Sequence, residues 1–143
     1  LVRFRLERAL LSGDLETDEL PTAWSDGYNE LLGIRPQNDV EGVLQDIHWS
    51  QGLFGYFPTY CLGSLLSAQL FEAAERDLGD QHEAFSQLDF GPLLQWLRDN
   101  VHSYGAQLSF AEIAQQATGK PLSSTAFLDY VEGTAQELYG IGL

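Results

Sequence analysis

Gly42-Val-Leu-Gln-Asp-Ile-His-Trp-Ser-Gln-Gly-Leu-Phe-Gly-Tyr-Phe-Pro-Thr-Tyr-Cys-Leu-Gly63 is the stretch whose reading decides the fold. It sets His48, Trp49, Phe54, Tyr56, Phe57 and Tyr60 among four glycines, so bulky rings alternate with residues that let backbone approach another surface closely. With His48 neutral, residues 47–71 carry no formal charge, which predicts that they are buried, embedded in a partner or wrapped around a ligand. Pro58, the glycines and the polar Ser50, Gln51, Thr59, Ser64, Ser67 and Gln69 interrupt the apolar run. What remains falls well short of the roughly 20 mostly apolar residues that a membrane span needs, so no membrane is expected as a partner.

Working outward, the pattern is helical on both sides. Val2, Leu6, Ala9 and Leu10 follow helical spacing with Arg3 and Glu7 four apart, and Gly13 is placed to close that helix. No capping side chain and no methionine precedes it, which reads as a chain cut inside a helix. Thr17 is the expected cap of a second helix, whose Leu20, Trp24, Tyr28 and Leu31 recur until Gly33. A short helix or turn is expected between Asp39 and His48, then a glycine-punctuated loop over 52–58. Pro58 suits a first helical position, and the helix it opens should run to Leu78 with Gly79 as its stop and Glu72 paired with Arg76. Gly91-Pro92 opens the next helix, with Leu93, Leu97, Val101 and Tyr104 on one face. Ser109 and Glu112 form a capping box before a short helix ending at Gly119, and a last helix carries Phe127, Leu128, Val131, Ala135 and Leu138 up to Gly140. No segment alternates as a strand does, so the expected class is all-α.

The 143 residues suit a single helical domain or fragment with a real core. Seven basic against 21 acidic residues give a net charge of −14, which opposes a phosphate backbone and argues against nucleic acid. The acids are spread along the chain and read as solvated helix faces. Cys61 is the sole cysteine, so no internal disulfide or cysteine-based zinc site can form, and a reducing, cytoplasmic setting fits.

Of the three histidines, none stands in a His-x-x-x-His pair, so no helix face offers two imidazoles to a metal. Asp46 and His48 are close enough in sequence to share an ion, but such pairs arise often by chance. His82 lies in a polar connection and His102 beside Val101 on an amphipathic helix, which suits solvated and boundary positions. His48 sits instead among rings and glycines. The plain alternative is a neutral imidazole hydrogen-bonded in a core. A catalytic role would pair it with a phenol, Tyr56 or Tyr60, so that N–H and O–H both donate to the oxyanion that develops when water adds to a peptide carbonyl. A glycine-bearing loop would let these groups close over substrate.

The segment Gly42-Val-Leu-Gln-Asp-Ile-His-Trp49 resembles the GxxQDxHW signature of the carboxypeptidase Taq family of zinc metallocarboxypeptidases, and the aromatic run to Gly63 continues as that family does. Arg3-Phe-Arg-Leu-Glu7, Pro21-Thr-Ala-Trp-Ser-Asp-Gly-Tyr28 and Leu31-Leu-Gly-Ile34 are similar to the segments before it. The resemblance implies a mostly helical enzyme, usually a cytoplasmic homodimer, that removes single residues from the C-termini of peptide substrates with zinc or another divalent metal. The family's HExxH helix, downstream glutamate and IRxxAD motif do not occur in these 143 residues. The expectation is therefore a C-terminal portion, with no metal of its own, that supplies the substrate-side wall of the cleft. In that portion His48 and Tyr60 would be the transition-state donors and Tyr56 the alternative phenol. The competing expectation is a self-contained helical protein-interaction domain without catalytic activity.

Overall fold

The computed structural model describes residues 1–142, and among them there are helices and no strands. The chain forms two compact units, the first ending at Cys61 and the second beginning at Leu62.

The first unit opens with α1 (Val2–Ser12), closed by Gly13 in the left-handed conformation at φ 78°. The second helix, α2, spans Leu20–Leu32 and ends on Gly33 at φ 67°. It begins three residues after the expected cap. Thr17 lies in a turn, and Glu19 closes that turn by accepting from the Glu16 N–H at 3.0 Å. Pro21 then stands in the first helical turn, where its missing N–H costs nothing. Val2 and Leu6 of α1 and Trp24 of α2 form the buried centre. At Gly27 an added Cβ would lie 3.0 Å from Val2 Cγ1, so the glycine is what lets α2 approach α1 this closely.

Trp24 is 1% exposed and stacks on Tyr28 with ring centroids 5.2 Å apart. The Arg3 and Glu7 side chains, four apart on α1, do not pair with each other. Arg3 makes an ion pair with Asp46 and lies 5.0 Å over the Trp24 ring, while Glu7 turns to Trp49 and Gly55. Long-range partners outcompete the local pair, which at a helix surface contributes only about 0.2–0.5 kcal/mol.

A 3₁₀ turn at Val43–Gln45 and another at Trp49–Gln51 connect this core to α3 (Phe57–Leu78), whose first turn completes the unit.

In the second unit, α3 continues to Leu78 and stops at Gly79, φ 82°. It is followed by α4 (His82–Ser86), α5 (Gly91–Asn100), a 3₁₀ turn at His102–Tyr104, α6 (Phe110–Thr118) and α7 (Thr125–Tyr139). The short α4 falls where the sequence suggests only a polar connection. The core is Ala73, Ala74, Trp96 and Ala117, with Leu70, Leu93, Leu97 and Val101 packed around it. Trp96 donates its indole N–H to Asp77 at 2.9 Å, and that bond, more than the neighbouring Arg76, holds the Asp77 carboxyl below its usual range. The expected Glu72–Arg76 pair is absent: Arg76 meets Asp77 at 3.2 Å, and Glu72 meets Lys120 at 3.5 Å. Ser109 and Glu112 do form the capping box, and the Ser109 hydroxyl and N–H hold the Glu112 carboxyl below its usual range. On α7 no residue is buried, and Leu128 and Leu138 are exposed rather than facing a core.

Gln69, 3% exposed, ties α3 to the segment after α6. Its amide nitrogen donates to Thr118 Oγ1 at 2.9 Å and to the Pro121 carbonyl at 3.1 Å, and its oxygen accepts from the Ser123 N–H at 3.1 Å. Gln69→Met keeps the side chain's length but strands these groups, so a loss of about 1–3 kcal/mol is expected in urea unfolding. A shift in midpoint too small to resolve would show that water replaces the amide without penalty.

Candidate active site

The candidate residues lie in the first unit, on the segment between the Gly42 turn and the start of α3. An added Cβ at Gly42 would meet Pro36 Cγ at 3.2 Å and the Asn38 carbonyl oxygen at 3.4 Å, so a side chain there would crowd the turn that launches the segment. Asp46 is extended, and His48 leads into the 3₁₀ turn that Gly52 closes at φ 72°, with the Leu53 N–H returning to the His48 carbonyl at 2.9 Å. Tyr56 then stands at the entry to α3, where its carbonyl accepts from the Thr59 N–H at 3.0 Å and from the Thr59 hydroxyl at 2.6 Å.

This path brings His48, Tyr56 and Tyr60 together. His48 Nε2 lies 3.1 Å from the Tyr60 hydroxyl, in hydrogen-bond contact. The His48 ring is 4.6 Å from Phe57, 5.5 Å from Tyr56 and 5.9 Å from Tyr60, the last edge-on. Tyr56 and Tyr60 are 5.4 Å apart and hydrogen-bonded to each other. The geometry thus separates the two phenols: Tyr60 contacts the imidazole directly, and Tyr56 contacts it through Tyr60 and by ring packing.

Loss of solvent around the hydroxyl pushes the Tyr60 phenol up, and Tyr56 and the Asp46 charge add to the shift. Although 57% of the residue is exposed, all the causes act in one direction, so Tyr60 is a protonated donor at neutral pH. Because His48 and Tyr60 bond each other, a substrate oxygen must take the place of that bond before both can donate to it.

Asp46 and His48 are adjacent but poor ligands for an ion. One Asp46 oxygen is taken by Arg3, and the other is 4.0 Å from the buried His48 Nδ1, which has no hydrogen-bond partner among the described residues. His82, on α4, and His102, in the 3₁₀ turn after α5, are both exposed. Among the described residues no three His, Cys, Asp or Glu side chains converge to hold a metal.

Residues 1–135 match the model of the carboxypeptidase Taq (M32) metallopeptidase family. The chain belongs to that family. It is 43% identical over 140 residues to Thermostable carboxypeptidase 1 of Thermus thermophilus, covering 98% of this chain and 28% of that protein. To Carboxypeptidase 1 of Bacillus subtilis it is 37% identical over 139 residues, 97% of this chain and 28% of that protein. Among solved structures, the M32 carboxypeptidase from Deinococcus radiodurans R1 superposes with a TM-score of 0.93 at 40% identity, covering 98% of this chain and 28% of that one. The chain therefore spans just over a quarter of the length of these M32 relatives, and its all-α fold is that of the matching part. The family is one of metallopeptidases, yet the described side chains of this part do not fit a metal.

Two contributors escaped the sequence: Arg3 and Glu7. Their spacing signals a helical ion pair, and nothing local reveals that one neutralises Asp46 while the other holds Trp49 and Gly55. No helix among the described residues is long and apolar enough to cross a membrane.

Proposed function

We propose that this chain is the C-terminal portion of a zinc-dependent metallocarboxypeptidase that releases single C-terminal residues from peptides, and that it supplies the substrate-side wall of the cleft. The observation that carries this is the 3.1 Å contact between His48 Nε2 and the Tyr60 hydroxyl, set among Tyr56, Phe57 and the uncharged run of residues 47–71. Similarity to carboxypeptidases along nearly the whole chain supports the reaction class.

In this proposal a peptide's carbonyl oxygen enters between imidazole and phenol. As water adds to the carbonyl carbon, negative charge develops on that oxygen, and the His48 N–H and Tyr60 O–H donate to it. The protonated state of Tyr60 suits this role, since a phenolate could not donate. Tyr56, hydrogen-bonded to Tyr60, orients its hydroxyl and is the alternative donor. The exposed Leu53, Phe54 and Tyr60 supply an apolar wall that excludes water once substrate or the rest of the enzyme covers it. Zinc is held in this proposal by residues other than those described here. A cytoplasmic homodimer completes the picture on the same basis of family resemblance.

The whole enzyme containing this chain should release the terminal residue of a blocked dipeptide and lose that activity on chelation, while the isolated 143-residue chain does neither and retains no stoichiometric zinc. Internal cleavage of peptides by the whole enzyme, or hydrolysis by the isolated chain, would overturn the proposal.

A further inference from the structure

We propose that Glu7, a residue of α1 remote in sequence from the His48 segment, is a positioning residue for the two donors. The inference rests on the role proposed above for His48 and Tyr60. Glu7 is 2% exposed, and its carboxylate spends both oxygens on that segment. Oε2 accepts from the Trp49 indole N–H at 2.8 Å, and Oε1 accepts from the Gly55 backbone N–H at 2.7 Å. Trp49 follows His48 in the chain and Gly55 precedes Tyr56, so one carboxylate clamps both ends of the loop that separates the imidazole from the phenols.

The site chemistry needs such a clamp. Gly55 is left-handed, at φ 75°, and no backbone carbonyl among the described residues accepts its N–H. Without Glu7 the loop over 52–56 would be held mainly by its own turns. Nor is Glu7 an ordinary buried ion pair: among the described residues no basic group lies within ion-pair range of it. A buried carboxylate without a cation is stabilised by N–H donors, and here the two donors are the loop's own. Removing the charge therefore acts first on the loop.

Glu7→Gln is nearly isosteric, but it leaves one acceptor oxygen and turns an NH₂ toward the second N–H, so one half of the clamp must open. In the whole enzyme it should lower kcat by roughly 10- to 100-fold with KM little changed, since misplaced donors lose transition-state contacts and not substrate binding. Amide exchange in a peptide covering residues 50–57 should speed up, while the rest of α1 stays protected. Trp49→Phe, which removes one donor and leaves an aromatic ring in place, should give a smaller loss of the same kind. In the double variant the two losses should combine less than multiplicatively.

A folded Glu7→Gln enzyme with normal kcat and normal exchange over 50–57 would overturn the proposal. If Glu7→Gln does not fold, a normal kcat in Trp49→Phe would do so. Should His48→Gln and Tyr60→Phe leave turnover intact, the donor assignment itself fails, and the exchange measurement still decides whether Glu7 holds the loop.

Discussion

Tyr60→Phe in the whole enzyme is expected to lower kcat by roughly 100- to 1,000-fold, about 3–4 kcal/mol of transition-state stabilisation, while KM changes by less than about threefold. The asymmetry follows from timing: a donor aimed at charge that appears only as water adds contributes little to the bound substrate. His48→Gln should lower kcat in the same direction, because it replaces the rigid imidazole, whose Nε2 lies 3.1 Å from the phenol, with a flexible amide that holds its N–H less firmly in place. Tyr56→Phe should cost less, since Tyr56 reaches the imidazole by ring packing at 5.5 Å and through Tyr60. Steady-state kinetics beside a melting curve for each variant separates chemistry from packing. A His48 that serves only to fill space would show the reverse pattern, with a lowered melting temperature and near-normal turnover. A folded Tyr60→Phe enzyme of unchanged turnover would move the assignment to Tyr56.

Trp24→Ala should destabilise the first unit by about 3–5 kcal/mol, the cost of emptying a large aromatic site in a core that relaxes only partly. Trp24 stacks on Tyr28, meets Trp49 edge-on at 6.3 Å and lies beneath the Arg3 guanidinium. Trp24 thus joins α1, α2 and the His48 segment through rings and charge, as Arg3 does from α1. Against a total stability of roughly 5–15 kcal/mol for an ordinary domain, such a loss leaves little margin. Urea unfolding followed by circular dichroism measures it, and Trp24→Phe should recover a part by refilling some of the volume. A cost under about 1 kcal/mol would mean that neighbouring rings collapse into the space and that this core tolerates repacking.

Much of the helical layout is legible in the sequence because its signals are local. Gly13, Gly33, Gly79, Gly119 and Gly140 each take a positive φ at or just beyond a helix end, which glycine adopts without a Cβ penalty. Ser109 and Glu112 need only each other to cap α6. The GxxQDxHW segment was enough to recognise the family, and its glycine is explained by a turn that closes on Pro36 and Asn38, a few residues away. The start of α2 and the choice of ion-pair partners were decided elsewhere. Thr17 has the chemistry of a cap, but the Glu19 turn and Pro21 set the helix start. Arg3 and Glu7 have the spacing of a helical pair, and a local pair is too weak to hold them once Asp46, Trp49 and Gly55 offer partly buried hydrogen bonds from 40 or more residues away. The phenol that touches His48 was also beyond the sequence, because Tyr56 and Tyr60 are chemically identical and four residues apart. Only the folded path through the loop into α3 places the Tyr60 hydroxyl against the imidazole nitrogen. The sequence by itself thus determined the longer helices, most of their stops and the family, each encoded within a few residues, while the short α4 went unread. Only the tertiary structure decided which charges meet and which hydroxyl faces the histidine, because those contacts depend on free energies summed across distant segments.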